Sequence, residues 1–68
     1  MKLSARNQLA GTVVAINQGE AIANVELDVQ GQRLVASITV EAVQQLGLQA
    51  GTEIVAVIKA SDVMIGVN

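Results

Sequence analysis

Hydrophobic and polar residues alternate with a period of two over most of this chain. The clearest case is the stretch EAIANVELDVQ at residues 20–30, where small and branched apolar residues occupy every second position. Acids and amides occupy the positions between them, and Ile22 is the one exception. Because successive side chains of an extended strand point to opposite faces, this pattern predicts a half-buried β-strand with a polar outer face.

Four other runs have the composition of strands. GTVVAIN is rich in β-branched residues and ends at the turn signal NQG, and RLVASIT resumes the alternation after Gly31, a residue that favours a tight turn. TEIVAVIK is apolar at the positions of both faces, and VMIGV lies near the C-terminus. The five predicted strands therefore cover residues 11–17, 20–30, 33–39, 52–59 and 63–67.

One segment between the third and fourth predicted strands, TVEAVQQLGL, breaks the period of two. Its apolar residues recur at every third position: Val40, Val43 and Leu46. Thr39 is a suitable N-cap, and Glu41 places a carboxylate in the first turn, where negative charge is favoured. Gly47 suits the left-handed position that ends a helix. The segment is therefore predicted to form a short α-helix.

Three strands, a short helix and two further strands follow one another in the OB-fold, a small Greek-key barrel. The predicted fold class is therefore all-β with one short helix, arranged as a five-stranded OB-fold-like Greek-key barrel. The chain contains no repeat, linker or low-complexity segment, so residues 1–68 are expected to form a single domain.

The composition limits how large a core this chain can build. Apolar residues make up 51% of it, yet it has no Phe, Tyr, Trp or Pro, and no Cys or His. A small core without disulfides or a structural metal needs another source of stability, and association of subunits is the one that remains. The strand at residues 52–59 is apolar on both faces, which also favours cover by a partner subunit. We therefore expect a homo-oligomer.

Net charge and the N-terminal sequence narrow the partners and the location. The formal net charge is −2, whereas a nucleic-acid partner requires a basic face. No run is long and apolar enough to span a membrane, and MKLSARNQ lacks the apolar core of a secretory signal. We expect a cytoplasmic protein with neither nucleic acid nor membrane as a partner.

Groups for catalysis or for direct metal binding are scarce. Without His or Cys the chain lacks the commonest general base and a thiolate nucleophile, and a pair of Ser61 with Lys59 is only a nominal candidate. Nothing in the sequence indicates that Lys59 is desolvated, so we expect no enzyme. Glu20, Glu26 and Asp28 are expected to form a solvated strand face and no metal site, because their spacing lacks the order of a calcium-binding loop.

Two short stretches remain that are rich in hydrogen-bond donors, SARN at residues 4–7 and KAS at residues 59–61. They combine a guanidinium, an ammonium, hydroxyls and an amide with backbone N–H groups beside small residues. Such a set suits a compact oxyanion, since charged donors supply attraction and neutral donors supply direction. In the alternative interpretation, Arg6 and Lys59 are ordinary surface cations that pair with Glu53 or Asp62.

The same two stretches carry a family resemblance. SARNQLAGTVVAI and AVIKASDVMIGV resemble the molbindin family, the small molybdenum-pterin-binding (Mop) proteins, and the likeness includes GEAIANVELDV and ITVEAVQQLGL between them. The resemblance implies an OB-like barrel in a hexamer, a trimer of dimers, that binds molybdate and the near-isosteric tungstate between subunits. It implies that residues of both stretches hold the oxyanion: Ser4, Ala5, Arg6, Asn7, Lys59, Ala60 and Ser61.

The function expected from this resemblance is the storage and homeostasis of molybdate in the cytoplasm, without catalysis. The alternative is a protein–protein interaction barrel, or scaffold, whose assembly the anion stabilises. Asp62 is expected to orient the loop that carries Lys59 and not to contact the anion.

Overall fold

The sheet of this protein contains four antiparallel strands. The structure is a computed structural model that describes residues 1–68. Its strands are β1 (Asn7–Gln18), β2 (Ile22–Val29), β3 (Gln32–Thr39) and β4 (Glu53–Ile58). A helix, α1 (Val40–Leu46), lies between β3 and β4 along the chain, and a single 3-10 turn (Ala60–Asp62) follows β4. The predicted class, mostly β with one short helix, is confirmed. No helix has the length and apolar composition that a membrane crossing requires.

The strands lie in the order β4-β1-β2-β3, which is a Greek-key arrangement because the fourth strand returns to pair with the first. β1 is shared between two partners along its length. Its first half pairs with β4, its second half pairs with β2, and Thr12 faces both Asp28 and Glu53 at the junction. The register shifts between Val13 and Ala15, so a bulge follows directly after the junction.

The fifth strand and the closed barrel are the wrong parts of the prediction. Residues 63–67 pair with no strand, and Met64, Ile65 and Val67 are more than nine-tenths exposed. β3 and β4 are consequently the two free edges of an open sheet. An apolar, β-branched sequence shows that a segment can bury a strand face, but pairing also needs a neighbouring edge. This segment meets none within one copy of the chain.

Both predicted caps of α1 are confirmed. The backbone N–H of Ala42 donates to Thr39 Oγ1 at 3.0 Å, and Gly47 adopts the left-handed conformation with φ 63°. The Gly47 N–H donates back to the carbonyl of Gln44 at 3.1 Å. The helix packs the buried Val43 against the sheet, whereas Leu46 at its last turn stays 68% exposed.

The core is very small. Only five residues are buried, and they come from β1, one face of β2, and α1: Val13, Ala23, Val25, Leu27 and Val43. The alternation predicted for residues 20–30 is confirmed, since Glu26 and its outer-face neighbours are more exposed than these three β2 residues. Thirteen large hydrophobic side chains are exposed in a single copy, so much of its apolar surface is left in contact with water.

Gly11 allows β1 to pass close to the end of β2. A Cβ atom built on Gly11 would lie 2.6 Å from the carbonyl oxygen of Asp28 and 2.9 Å from Val29 Cγ2. No side chain fits at that distance, so glycine is required for space and not for backbone conformation. This close approach lies directly before the junction at Thr12, where β1 changes its partner strand.

Candidate anion-binding site

The pairing of β1 with β4 brings the two donor-rich stretches to one end of the sheet. Asn7, the first residue of β1, is the register partner of Ile58, the last residue of β4. Residues 4–6 therefore enter the sheet where residues 59–61 leave it. The sequence separates the two stretches by almost the whole chain, and the sheet makes them neighbours within one copy.

A side-chain hydrogen bond joins the two stretches directly. The amide Nδ2 of Asn7 donates to the carbonyl oxygen of Ile58 at 3.1 Å, in a half-buried position. Sequence reasoning did not single out Ile58. The only signal was its place as the last apolar residue before Lys59.

Of the other candidate residues, all but Ala5 are open to solvent. Ser4, Arg6, Lys59, Ala60 and Ser61 are exposed, and Ala5 is half-buried. Their side chains form no hydrogen bond with the rest of the protein, so their donors are free to meet a ligand.

The 3-10 turn adds free backbone donors on the C-terminal side of the site. The N–H of Asp62 donates to the carbonyl of Lys59 at 2.9 Å, and the N–H of Val63 donates to that of Ala60 at 3.3 Å. These two bonds fold the chain so that the N–H groups of Ala60 and Ser61 have no backbone acceptor. Asp62 lies in this turn, and its backbone N–H helps to fix the position of Lys59.

The cations of the site are not neutralised by carboxylates. The one ion pair in the structure joins Arg33 to Glu26, on the outer face of the β2–β3 hairpin. Arg6 and Lys59 therefore pair with neither Glu53 nor Asp62, and two positive charges flank one end of a chain with net charge −2.

The acidic residues do not assemble into a metal centre. No group of three or more His, Cys, Asp or Glu residues lies close enough together to hold a metal ion. Glu20 and Asp28 are exposed, and Glu26 forms an ion pair with Arg33. What the structure offers near the strand ends of β1 and β4 is therefore a set of donors for an anion.

A second concave surface has the opposite chemistry. An apolar groove runs between the free edges of β3 and β4, and Ser37 is its only polar lining residue. Its walls include Leu34, Ile38, Leu46, Ile54 and Ile58. The groove contains no charged group and therefore suits an apolar segment and not an anion. Val55 and Val57 of β4 also line the groove and are more than 40% exposed, in line with the apolar pattern on both faces of that strand.

Comparison with known proteins gives consistent matches over the whole chain. Residues 3–65 match the TOBE domain. A probable molybdenum-pterin-binding protein of Haemophilus influenzae is 47% identical in an alignment of 69 positions that covers 100% of each chain. A molybdate-binding protein from Sporomusa ovata superposes with a TM-score of 0.92 at 38% identity, covering 96% of this chain and 97% of that one.

The cytoplasmic molybdate-binding protein ModG, solved with molybdate bound, superposes with a TM-score of 0.94 at 48% identity. The match covers all of this chain but 49% of ModG, so this chain corresponds to about half of that protein. Both donor-rich stretches fall inside the region that matches the TOBE domain.

Proposed function

Since the chain belongs to the TOBE-domain family and, within it, to the molybdenum-pterin-binding (Mop) proteins, we propose that it binds molybdate. The role of this family is one of binding and not of catalysis. Molybdate is a tetrahedral dianion whose four oxygens only accept hydrogen bonds. A site for it must therefore present donors from several directions and supply positive charge.

The proposed site consists of both donor-rich stretches: Ser4, Ala5, Arg6, Asn7, Lys59, Ala60 and Ser61. The observation that carries this assignment is the pairing of Asn7 with Ile58, because it sets the two stretches side by side. Arg6 and Lys59 would supply charge, since neither is paired with a carboxylate. Ser4, Ser61 and the free N–H groups of the 3-10 turn would direct the oxygens.

We infer that the working form is a homo-oligomer, a hexamer built as a trimer of dimers, with the anion held between subunits. Two features support association. A single copy leaves an apolar groove open between β3 and β4, and it also leaves an apolar segment, residues 63–67, without a partner. The segment of one copy has the composition to cover the groove of another. If the anion is held between subunits, the subunit interface would also shield the exposed Arg6 and Lys59 from water, which strengthens their attraction to the anion.

The biological role that we propose is storage and homeostasis of molybdate in the cytoplasm, with residues 1–68 acting as one binding domain. The similarity to ModG, a cytoplasmic protein of which about half matches the whole of this chain, supports that location. Tungstate has the same charge and nearly the same size, so it should occupy the site as an analogue. The net charge of −2 argues against a nucleic-acid partner.

The open apolar groove favours one alternative, a scaffolding protein whose assembly the anion only stabilises. Calorimetric titration with molybdate, tungstate, sulfate and phosphate separates the two functions. Storage requires tight and saturable binding of molybdate and tungstate, and weak binding of sulfate and phosphate. Equal, weak binding of all four anions by a stable oligomer would support the scaffold and contradict the storage role.

A further inference from the structure

Asn7 differs from the other residues of the proposed site in what its side chain does. The side chains of Arg6 and Lys59 have no partner within the chain, whereas the Asn7 amide donates to the Ile58 carbonyl at 3.1 Å. Asn7 is also half-buried, while both cations are exposed. The amide is therefore already committed to the protein before any ligand arrives.

The bond lies at the end of the sheet, where β1 begins and β4 ends. Asn7 is the last residue of the first stretch, and Ile58 directly precedes the second. Of the side-chain hydrogen bonds in the structure, this is the one that joins the ends of β1 and β4, and it links residues 51 positions apart. Beyond it, residues 4–6 and 59–61 belong to no strand, so no sheet pairing fixes the distance between them.

We propose that Asn7 is a positioning residue that fixes the spacing of the two donor stretches and thereby selects the oxyanion by size. This inference rests on the proposed function, because it assigns selectivity to that same site. Arg6 and Lys59 attract any dianion, and charge cannot distinguish molybdate from sulfate. The two anions have the same charge and shape, but sulfate is smaller.

Fixed spacing supplies the missing discrimination. Donors held at a set separation make good hydrogen bonds only to an anion that spans it, since these bonds weaken steeply with distance and angle. When the two stretches can move independently, they close around the smaller anion as well. Loss of the Asn7 bond should therefore weaken molybdate binding more than sulfate binding.

The test compares three variants with the parent protein. Asn7→Ala removes the amide, and Asn7→Asp keeps its shape but cannot donate to the Ile58 carbonyl. Asn17→Ala is the matched control, because Asn17 is an exposed amide on the same strand that forms no side-chain hydrogen bond. Calorimetry gives the affinities for molybdate and sulfate, and hydrogen exchange across residues 57–62 is measured without any anion.

For Asn7→Ala we expect a loss of about five- to tenfold in molybdate affinity and a clear fall in the molybdate-to-sulfate ratio, as the loss of one neutral hydrogen bond predicts. Exchange across residues 57–62 should rise by a similar factor, and Asn17→Ala should match the parent. Asn7→Asp should show the same faster exchange and weaker binding of both dianions.

Two results would overturn the inference. One is an Asn7→Ala protein with parental exchange and parental selectivity. The other is an equal loss of affinity for both anions with unchanged exchange, which would make Asn7 a direct ligand. If the parent itself binds no oxyanion, the proposed function and the selectivity role fail together. The exchange data then decide independently whether Asn7 holds the two stretches in place.

Discussion

Substitution of Gly11 by alanine tests the close approach of β1 and β2. The added Cβ would lie 2.6 Å from the Asp28 carbonyl oxygen, whereas ordinary van der Waals contact begins near 3.4 Å. The contacted atom belongs to the backbone, so no rotamer change can remove the overlap. β1 must move away from β2 beside Thr12, where β1 changes its partner strand.

The expected cost follows from the size of this overlap. Overpacking of a well-packed site costs about 1–3 kcal/mol, and a clash with backbone belongs at the upper end of that range. A domain of this length has a stability of about 3–10 kcal/mol, so the change removes a large share of it. A loss of about 3 kcal/mol corresponds to a fall in Tm of about 12–24 °C.

The assay is thermal unfolding followed by circular dichroism, at one fixed protein concentration because association also affects Tm. Gly47 provides the comparison, since its φ is 63° and a Cβ there meets nothing within 4 Å. Gly47→Ala should cost about 1 kcal/mol through backbone strain, and Gly47→Asn less, because Asn tolerates the left-handed conformation. Gly11→Asn should be no better than Gly11→Ala. A Gly11→Ala protein that melts within about 2 °C of the parent would refute the reasoning.

Three further predictions concern the site, the tail and the outer face. Arg6→Ala and Lys59→Ala should each weaken molybdate binding by about 2–4 kcal/mol in calorimetry, and parental affinity in both would place the site elsewhere. Deletion of residues 63–68 should shift sedimentation to smaller species. An unchanged oligomer would show that this C-terminal segment does not cover the apolar groove of a neighbouring copy. The double variant Glu26→Gln, Asp28→Asn should leave molybdate affinity unchanged. It should cost less than about 1 kcal/mol of stability, because only an exposed ion pair is lost. A large loss of affinity would mean that this face contributes to the site.

The elements that could be predicted from the sequence are those determined by local contacts. Thr39 and Gly47 cap α1 through bonds to residues a few positions away, so their identity alone was sufficient. The buried face of β2 followed from the alternation, and the tight turn was predicted from Gly31 itself. In the structure Gln30 and Gly31 both have positive φ.

The features that the sequence did not predict all depend on which distant segments of the chain meet. β1 begins at Asn7 and not at residue 11, because β4 pairs with the mixed stretch NQLA that has no strand pattern of its own. The absence of a fifth strand depends on whether residues 63–67 find a free edge, which composition does not specify. Donor chemistry indicated both stretches of the proposed site, but their proximity follows only from the pairing of β1 with β4.

The division of β1 between two partners also bears on the order of folding. β2 follows β1 after a short turn, and β3 follows β2 after a tighter one, so these hairpins form through contacts that are close in the sequence. The pairing of Asn7 with Ile58 closes a loop of almost the whole chain, and such long loops close slowly. We therefore expect β4 to dock last, onto a β1 that β2 has already ordered. Until that step no strand pairing brings the two donor stretches together, so the proposed anion site is not yet formed.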